Sequence, residues 1–192
     1  MGSHFGAGPF CVECRRSGLG DATIVLIKDV AWRLMTAYDL PAVQAIADTV
    51  HLDFYESAEV LAERQRLYHN GCYLLEIGEK PVGYVLSHPW TYASLPPLDT
   101  LLGQLPQRPD TYYIHDLCLL PVARRIGSAS KILGALTKHA EAEGYPTMSL
   151  VAVNGSVPYW EKHGFAVTEE PELYAKLLSY EEGARYMVRR LT

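Results

Sequence analysis

Apolar residues recur at two spacings along the chain, and the spacing separates predicted helices from predicted strands. After Asp39, a candidate N-cap, apolar residues return every three or four positions from Val43 to Val50, as on one face of a helix. The same reasoning predicts helices over residues 57–68, 126–144, 156–163 and 171–182. Short apolar runs predict strands over residues 33–37, 72–77, 81–87, 111–119, 148–153 and 185–191, and Phe165 begins another.

Strands that alternate with helices predict an α/β fold, layered in the α+β manner, with part of the sheet parallel. Residues 88–110 are rich in proline and predict a long loop, which in a compact domain is usually functional or disordered. Residues 1–30 are rich in glycine and show no period. We therefore expect a flexible N-terminal extension over 1–30 and a single domain over 31–192.

The composition narrows the range of partners. The 192 residues include 17 Lys and Arg against 22 Asp and Glu, a formal charge of -5, which argues against a general nucleic-acid binder. No apolar run approaches the roughly 20 residues of a membrane-spanning helix, and the first residues lack a secretory pattern. We expect no membrane association and a cytoplasmic location. Cys11 and Cys14 have the spacing of half a zinc site, but no second pair follows, so we expect no metal and keep a zinc-stabilised binding module as the weakest alternative.

The segment from Leu117 to Ser130 carries the clearest chemistry. A strand ends, a short turn follows, and small residues open a helix whose first-turn N–H groups and positive dipole end attract anions. Arg124 and Arg125 add positive charge beside those amides. The pattern predicts a cradle for a pyrophosphate, although close packing of a helix start beside solvated arginines is an alternative.

Two signatures in the predicted order resemble the GNAT acetyltransferase superfamily. Arg124-x-x-Gly127-x-Ala129 matches the pyrophosphate signature Arg/Gln-x-x-Gly-x-Gly/Ala, and it follows a strand ending Leu-x-Leu-x-Pro. Downstream, Asn154 precedes a short helix that ends at Gly164-Phe165, as in the second signature of the family. The resemblance implies a mixed, splayed sheet flanked by helices, and an acetyl-CoA-dependent N-acetyltransferase that needs no metal.

In such a fold the pantetheine arm of the cosubstrate wedges between two strands that splay apart. The resemblance assigns the backbone of one strand to the pantetheine amides, the helix start to the pyrophosphate, and Asn154 to a place near the pantetheine. Trp160 is expected to pack against the pantetheine arm. The expected cofactor-binding residues are Leu117, Cys118, Leu119, Arg124, Arg125, Ile126, Gly127, Ser128, Ala129, Ser130, Asn154 and Trp160.

Direct attack by an amine needs a base, because an alkylamine is protonated at neutral pH. His115 is the candidate, and strand alternation places it on one face with Tyr113 and Leu117 while Asp116 faces away. A histidine at this position resembles the arylalkylamine (serotonin) N-acetyltransferase branch. The alternative is a hydrogen-bonded structural histidine.

The acid that protonates the departing thiolate is where the chain departs from the family. Trp160 occupies the position usually held by tyrosine, and an indole does not give up its proton near neutral pH. Tyr159 is adjacent and becomes the candidate, although one helical step rotates it by about 100 degrees. Water or the proton of the substrate is the alternative.

The acceptor pocket is expected near the junction of the first two helices, with Tyr55, Glu56 and Tyr113 contacting a small amine. A protein or peptide N-acetyltransferase with an open cleft is the first alternative, and order over residues 88–110 would favour the small amine. A non-catalytic acyl-CoA-binding sensor is the second alternative, because Trp160 replaces the usual acid. We expect Cys118 to be a core residue, His163 to be a bystander, and a homodimer to be possible.

Overall fold

Seven strands form one mixed sheet within residues 29–192, the part of the chain that the computed structural model describes. The predicted extension, with Cys11 and Cys14, lies almost wholly outside the described residues. The order across the sheet is β1-β2-β3-β4-β5-β7-β6, and β4 and β5 run parallel while the other neighbours are antiparallel. The strands are β1 Val30–Leu34, β2 Cys72–Ile77, β3 Lys80–Trp90, β4 Thr111–Leu119, β5 Thr147–Ala152, β6 Ala166–Val167 and β7 Arg185–Arg190.

Helices cover both faces of the sheet. The helices α1 and α2 pack on one face, where Val43 and Leu61 meet Leu86 of β3, and α3 packs on the other, where Leu133 meets Leu150 of β5. The helices are α1 Leu40–Val50, α2 Ala58–Leu67, α3 Ser128–Ala142, α4 Val157–Glu161 and α5 Tyr174–Leu178. No helix among residues 29–192 combines the length and the apolar character that a membrane crossing requires.

The last two helices are shorter than the apolar pattern predicts. The helix expected over 156–163 is α4, which runs only to Glu161 before the turn at Gly164. The helix expected over 171–182 is a 3-10 turn, Pro171–Leu173, followed by the five residues of α5. Each begins at or beside a proline, which fixes the first turn without extending the helix.

The pairing between β4 and β5 stops after two residue pairs. Tyr112 lies opposite Met148 and Tyr113 lies opposite Ser149, and no further pair joins these two strands. Past that point, the edge of β4 that faces β5 has no partner strand among the described residues. The predicted mixed, splayed sheet is therefore confirmed, with the gap at the carboxyl ends of the two parallel strands.

A β-bulge at His115 changes which side chains share a face of β4. Ile114 pairs with Ser87 and Asp116 pairs with Leu86, so His115 is the extra residue. Ile114 and Leu117 pack on the α3 face, whereas His115 and Asp116 line one pocket on the opposite face. The prediction that His115 shares a face with Leu117 and that Asp116 faces away is wrong, because strict alternation does not survive an inserted residue.

The proline-rich loop is ordered and pinned to α2. β3 extends to Trp90, so the loop begins three residues later than predicted. The buried Glu63 carboxylate accepts hydrogen bonds from the amides of Leu102 and Gly103 at 2.7 and 2.9 Å, and Arg64 donates to the carbonyl of Thr100 at 2.7 Å. Glu63 and Arg64 also pair with each other at 2.7 Å. A buried charge pair thus fixes the backbone of residues 100–103.

Gly71 makes a close approach to β3 beside the bulge. A Cβ on Gly71 would overlap the carbonyl oxygen of Ser87 and lie 2.7 Å from the hydroxyl of Tyr112. We expect Gly71→Ala to lower the free energy of unfolding by about 3 kcal/mol, at the upper end of overpacking costs. Gly134→Ala is the matched control, because a Cβ there meets nothing within 4 Å and alanine favours the helix by about 1 kcal/mol. Urea denaturation of both variants measures the difference, and equal stability would contradict the packing argument.

Candidate functional site

A cavity of about 70 Å³, open to solvent, lies on the α1 and α2 face just past the last paired residues of β4 and β5. Its wall contains two histidines and two carboxylates, and the rest is apolar or aromatic. Pro97 and Leu98 of the proline-rich loop close one side. The polar lining residues are His51, Glu56, His115 and Asp116, and the others include Phe54, Tyr113, Val151, Val153 and Tyr180.

His115 pairs with Glu56 at the wall of this cavity. The His115 Nε2 lies 2.8 Å from Oε2 of Glu56, and the two side chains are only 8% and 9% exposed. The other polar atoms of the pair, Nδ1 of His115 and Oε1 of Glu56, are buried without a hydrogen-bond partner among residues 29–192. Glu56, predicted to contact the substrate, is thus already engaged by the candidate base.

A second imidazole–carboxylate pair lines the same cavity. His51 Nε2 lies 3.0 Å from one oxygen of Asp116 and 3.1 Å from the other, and the hydroxyl of Tyr84 donates to Asp116 as well. Burial disfavours the cationic ring, but the hydrogen bonds and charge attraction of Asp116 and Cys118 together outweigh it and raise the pKa of His51 to about 11. Burial likewise opposes ionisation of Asp116, yet the bond from His51 lowers its pKa. His51 is therefore a cation at neutral pH.

A third histidine, His88, lies next to His115. Its ring centroid is 5.9 Å from that of His115 and 5.7 Å from that of Tyr113, and the residue is 1% exposed. Burial, aided by the neighbouring His115, lowers the pKa of His88 to about 3. His88 is therefore uncharged at neutral pH.

The predicted pyrophosphate cradle follows β4 at the other end of the gap. The first α3 hydrogen bond runs from the amide of Lys131 to the carbonyl of Gly127 at 3.1 Å, so the amides of residues 128–130 precede any helical acceptor. Gly127 has a φ of 80° and a Cβ there would meet nothing within 4 Å, so the space over the turn is open. Arg124 and Arg125 are exposed beside it, and Arg124 Nε donates to the carbonyl of Leu119 at 3.0 Å. Free amides, open space and two cations fit a diphosphate.

Ser130 of the cradle contacts His163, which the sequence predicts to be a bystander. The Ser130 hydroxyl lies 2.9 Å from Nε2 of His163, and Nδ1 of His163 lies 2.9 Å from the carbonyl oxygen of Tyr159. The rings of Tyr159 and His163 are in contact, with centroids 4.5 Å apart and planes tilted by 40°. The residues are 33 positions apart in the sequence, and no local signal announces the contact.

Tyr159 carries a buried hydroxyl that has no hydrogen-bond partner within the described part of the chain. Burial raises the pKa of Tyr159 to about 12, so its proton is retained at neutral pH. Trp160, its neighbour, is 8% exposed and packs against Phe165 in the core under α3. Packing within the core thus accounts for Trp160 as the structure has it.

Three other predicted site residues, Tyr55, Asn154 and Cys118, lie in three different environments. Tyr55 is 58% exposed and does not line the cavity, so the structure does not bring it to Glu56 and Tyr113. Asn154 lies in the turn after β5, where its backbone N–H donates to the carboxylate of Glu181 at 2.7 Å. Cys118 is buried in the core beneath α1, where burial raises the pKa of its thiol. The expectation of a core cysteine agrees with this environment.

Comparison with known proteins gives a consistent family. The model of the acetyltransferase (GNAT) family matches residues 33–165. No curated protein matches the chain significantly. Among solved structures, Ard1 from Thermoplasma volcanium has a TM-score of 0.64 at 17% identity, over 85% of this chain and 98% of that one.

Two further structures have the same fold. The ribosomal-protein-S18-alanine N-acetyltransferase from Escherichia coli has a TM-score of 0.60 at 17% identity, over 85% of this chain and 95% of that one. N-acetylglutamate synthase from Neisseria gonorrhoeae, complexed with coenzyme A and N-acetyl-glutamate, has a TM-score of 0.63 at 18% identity, over 85% of this chain and 35% of that one. With the family model matching from β1 to the end of the second signature, the chain belongs to the acetyltransferase (GNAT) family and is an acyltransferase.

Proposed function

We propose that the chain is an acetyl-CoA-dependent N-acetyltransferase whose acceptor is the primary amine of a small molecule. The observation that carries this proposal is the gap between β4 and β5, which has an anion cradle at one end and a pocket with a candidate base beside it. The coenzyme A in the similar N-acetylglutamate synthase structure supports the choice of cosubstrate. Bound acetyl-CoA would supply the acetyl thioester.

The chain's own groups support a binding role along this gap. The backbone of Leu117, Cys118 and Leu119 pairs with β3 on one edge and lies past the part of β4 that pairs with β5. Apart from the Leu119 carbonyl, which accepts from Arg124, backbone groups on the edge towards β5 are therefore open to pair with amides of an extended ligand. The amides from Ile126 to Ser130, with Arg124 and Arg125, are proposed to hold the pyrophosphate. The resemblance adds Asn154 and Trp160 to this surface.

His115 is the proposed general base, and the two neighbouring histidines support it by elimination. His51 has a pKa of about 11 and is already protonated, so it cannot accept a proton at neutral pH. His88 has a pKa of about 3 and is too weak a base. His115 also resembles the histidine of the arylalkylamine N-acetyltransferase branch.

Tyr159 is the proposed acid for the departing thiolate. Its proton is retained at neutral pH, and its hydroxyl has no hydrogen-bond partner among residues 29–192. Its ring contacts His163, the histidine that contacts Ser130 of the cradle. These features favour an acid on the cofactor side of the gap. They also weaken the sensor alternative, because a proton donor is present although Trp160 has replaced the usual tyrosine.

The pinned loop supports a small acceptor over a protein. Pro97 and Leu98 close one side of the pocket, and Tyr180 holds the loop by donating to the carbonyl of Pro96 at 2.6 Å. Glu63 and Arg64 hold residues 100–103 of the same loop. A protein N-terminus would need a longer open groove than a loop held at these two places favours.

The direct test is a screen for thiol release from acetyl-CoA across small amines, amino acids, polyamines and peptides. We expect turnover with small primary amines and little with peptides, because the loop limits the length of the acceptor. Selective turnover of peptides would favour the protein N-acetyltransferase, and coenzyme A binding without any turnover would favour the sensor.

The cradle is tested by a carboxylate placed within it. We expect Ala129→Glu to weaken coenzyme A binding about 100-fold, roughly 2.7 kcal/mol, through repulsion of the diphosphate. The thermal midpoint should not fall, because an acidic residue in a first helical turn is favourable. Ala142→Glu makes the same change at the exposed far end of α3 and should leave binding unchanged. Equal affinities by titration calorimetry would contradict the cradle.

The acid and base are tested by removing each group. We expect His115→Ala and Tyr159→Phe each to lower kcat by about 100-fold, within the range of general acid–base catalysis. Coenzyme A affinity should stay within about twofold of the parent, because neither side chain lies in the cradle. Steady-state kinetics with calorimetry measure both quantities, and a loss of affinity that equals the loss of kcat would defeat the assignment.

A further inference from the structure

The contact between Glu56 and His115 gives the carboxylate a role other than substrate binding. We infer that Glu56 is a positioning residue, which accepts a hydrogen bond from Nε2 of His115 and leaves Nδ1 as the atom that takes the proton. The inference rests on the proposed function, since it concerns the same reaction. It replaces the expectation that Glu56 contacts the amine of the substrate.

The hydrogen bond defines the tautomer of the ring. An ionised carboxylate can only accept, so the Nε2 of His115, 2.8 Å from Oε2 of Glu56, carries the hydrogen in the neutral ring. The basic lone pair is then on Nδ1, which is buried and has no partner within residues 29–192. The carboxylate also stabilises the imidazolium once it forms, as the aspartate does for histidine in serine-protease triads.

Hydrogen bonds from two sides hold the backbone around Glu56, so the point from which its side chain extends is fixed. Gln44 of α1 donates to the carbonyl of Glu56 at 3.2 Å. The amide of the next residue, Ser57, donates to Asp99 of the proline-rich loop at 2.8 Å. With the side chain buried as well, few rotamers other than the paired one are open to it.

Two neighbouring charged groups have hydrogen-bond partners of their own, although Glu56 also attracts Arg64 through space. Asp116 is engaged by His51 and Tyr84, and Arg64 is engaged by Glu63 and the carbonyl of Thr100. The titratable and charged groups around the pair come from five elements. They are His51 at the end of α1, Glu63 and Arg64 of α2, Tyr84 and His88 of β3, Tyr113 and Asp116 of β4, and Tyr180 after α5.

The proton transfer balances within the pair. As the acceptor nitrogen bonds to the thioester carbonyl carbon, its N–H bond breaks and an Nδ1–H bond forms on His115. The C–S bond of the thioester breaks, and its electron pair leaves on the sulfur of coenzyme A, which takes its proton from Tyr159, the proposed acid. The ring becomes a cation, and with the Glu56 carboxylate it forms a pair without net charge. The pocket therefore gains no unpaired buried charge, which would be costly to hold there.

The test compares Glu56→Gln with the matched control Glu59→Gln, the same change at an exposed site in the first turn of α2. We expect Glu56→Gln to lower kcat about 10- to 100-fold with KM for the amine changed less than about threefold. The acid limb of the kcat/KM profile should move to lower pH, because an amide does not stabilise the imidazolium. Glu59→Gln should change none of these quantities.

Two further variants sharpen the result. Glu56→Asp keeps the charge and should restore the acid limb towards its original position, even where the shorter side chain lowers kcat. The double variant Glu56→Gln/His115→Ala should be no slower than His115→Ala alone, since the carboxylate acts only through the ring. Additive losses, an unmoved acid limb, or a large rise in KM at constant kcat would each overturn the inference.

A measurement without turnover separates this inference from the proposed function. Nitrogen-15 NMR of histidine-labelled protein reports which ring nitrogen of His115 carries the hydrogen, with His115→Ala assigning the signal. We expect the Nε2–H form in the parent and a changed signal in Glu56→Gln. An Nδ1–H form would overturn the inference, whereas an Nε2–H form in a protein that transfers no acetyl group would contradict only the proposed function.

Discussion

Strands β4 and β5 run parallel and pair at only two positions, Tyr112 with Met148 and Tyr113 with Ser149, and the site is built around the point where that pairing ends. Backbone groups of a sheet need partners, so a gap between two central strands is costly unless something else satisfies them. The gap leaves the end of β4 free on one edge and directs its last residues into the turn before α3. Along the chain, the free edge of β4 is therefore followed directly by the free amides at the start of α3.

The bulge at His115 adds a second constraint at the same place. It turns His115 and Asp116 to one face, so that two imidazoles and two carboxylates meet in one cavity. Their pairing then separates the histidines by protonation state. Against burial, Asp116 and Cys118 together raise the pKa of His51 to about 11, while burial lowers the pKa of His88 to about 3. Environment thus divides chemically identical side chains between a fixed cation, a neutral core ring and a candidate base.

The cradle stays a prediction, and it can be made from the sequence because its elements are local. A strand end, a turn and small residues at a helix start lie within fourteen consecutive positions, and each contributes through its own backbone geometry. The strand of Thr111–Leu119 was likewise predicted with its observed bounds, since nine residues of extended, largely apolar pattern carry enough signal. The layered fold followed from the alternation of such segments.

The sequence by itself determined which segments form strands and helices and which family the two signatures resemble, and it gave the proposed place for an anion. Only the tertiary structure decided how the pocket residues pair. Glu56 and His115 are 59 positions apart, and His51 and Asp116 are 65 apart, so no periodicity relates them. The bulge was hidden for a related reason: an inserted residue is a property of the pairing between β3 and β4, and strand alternation read from one chain segment cannot register it.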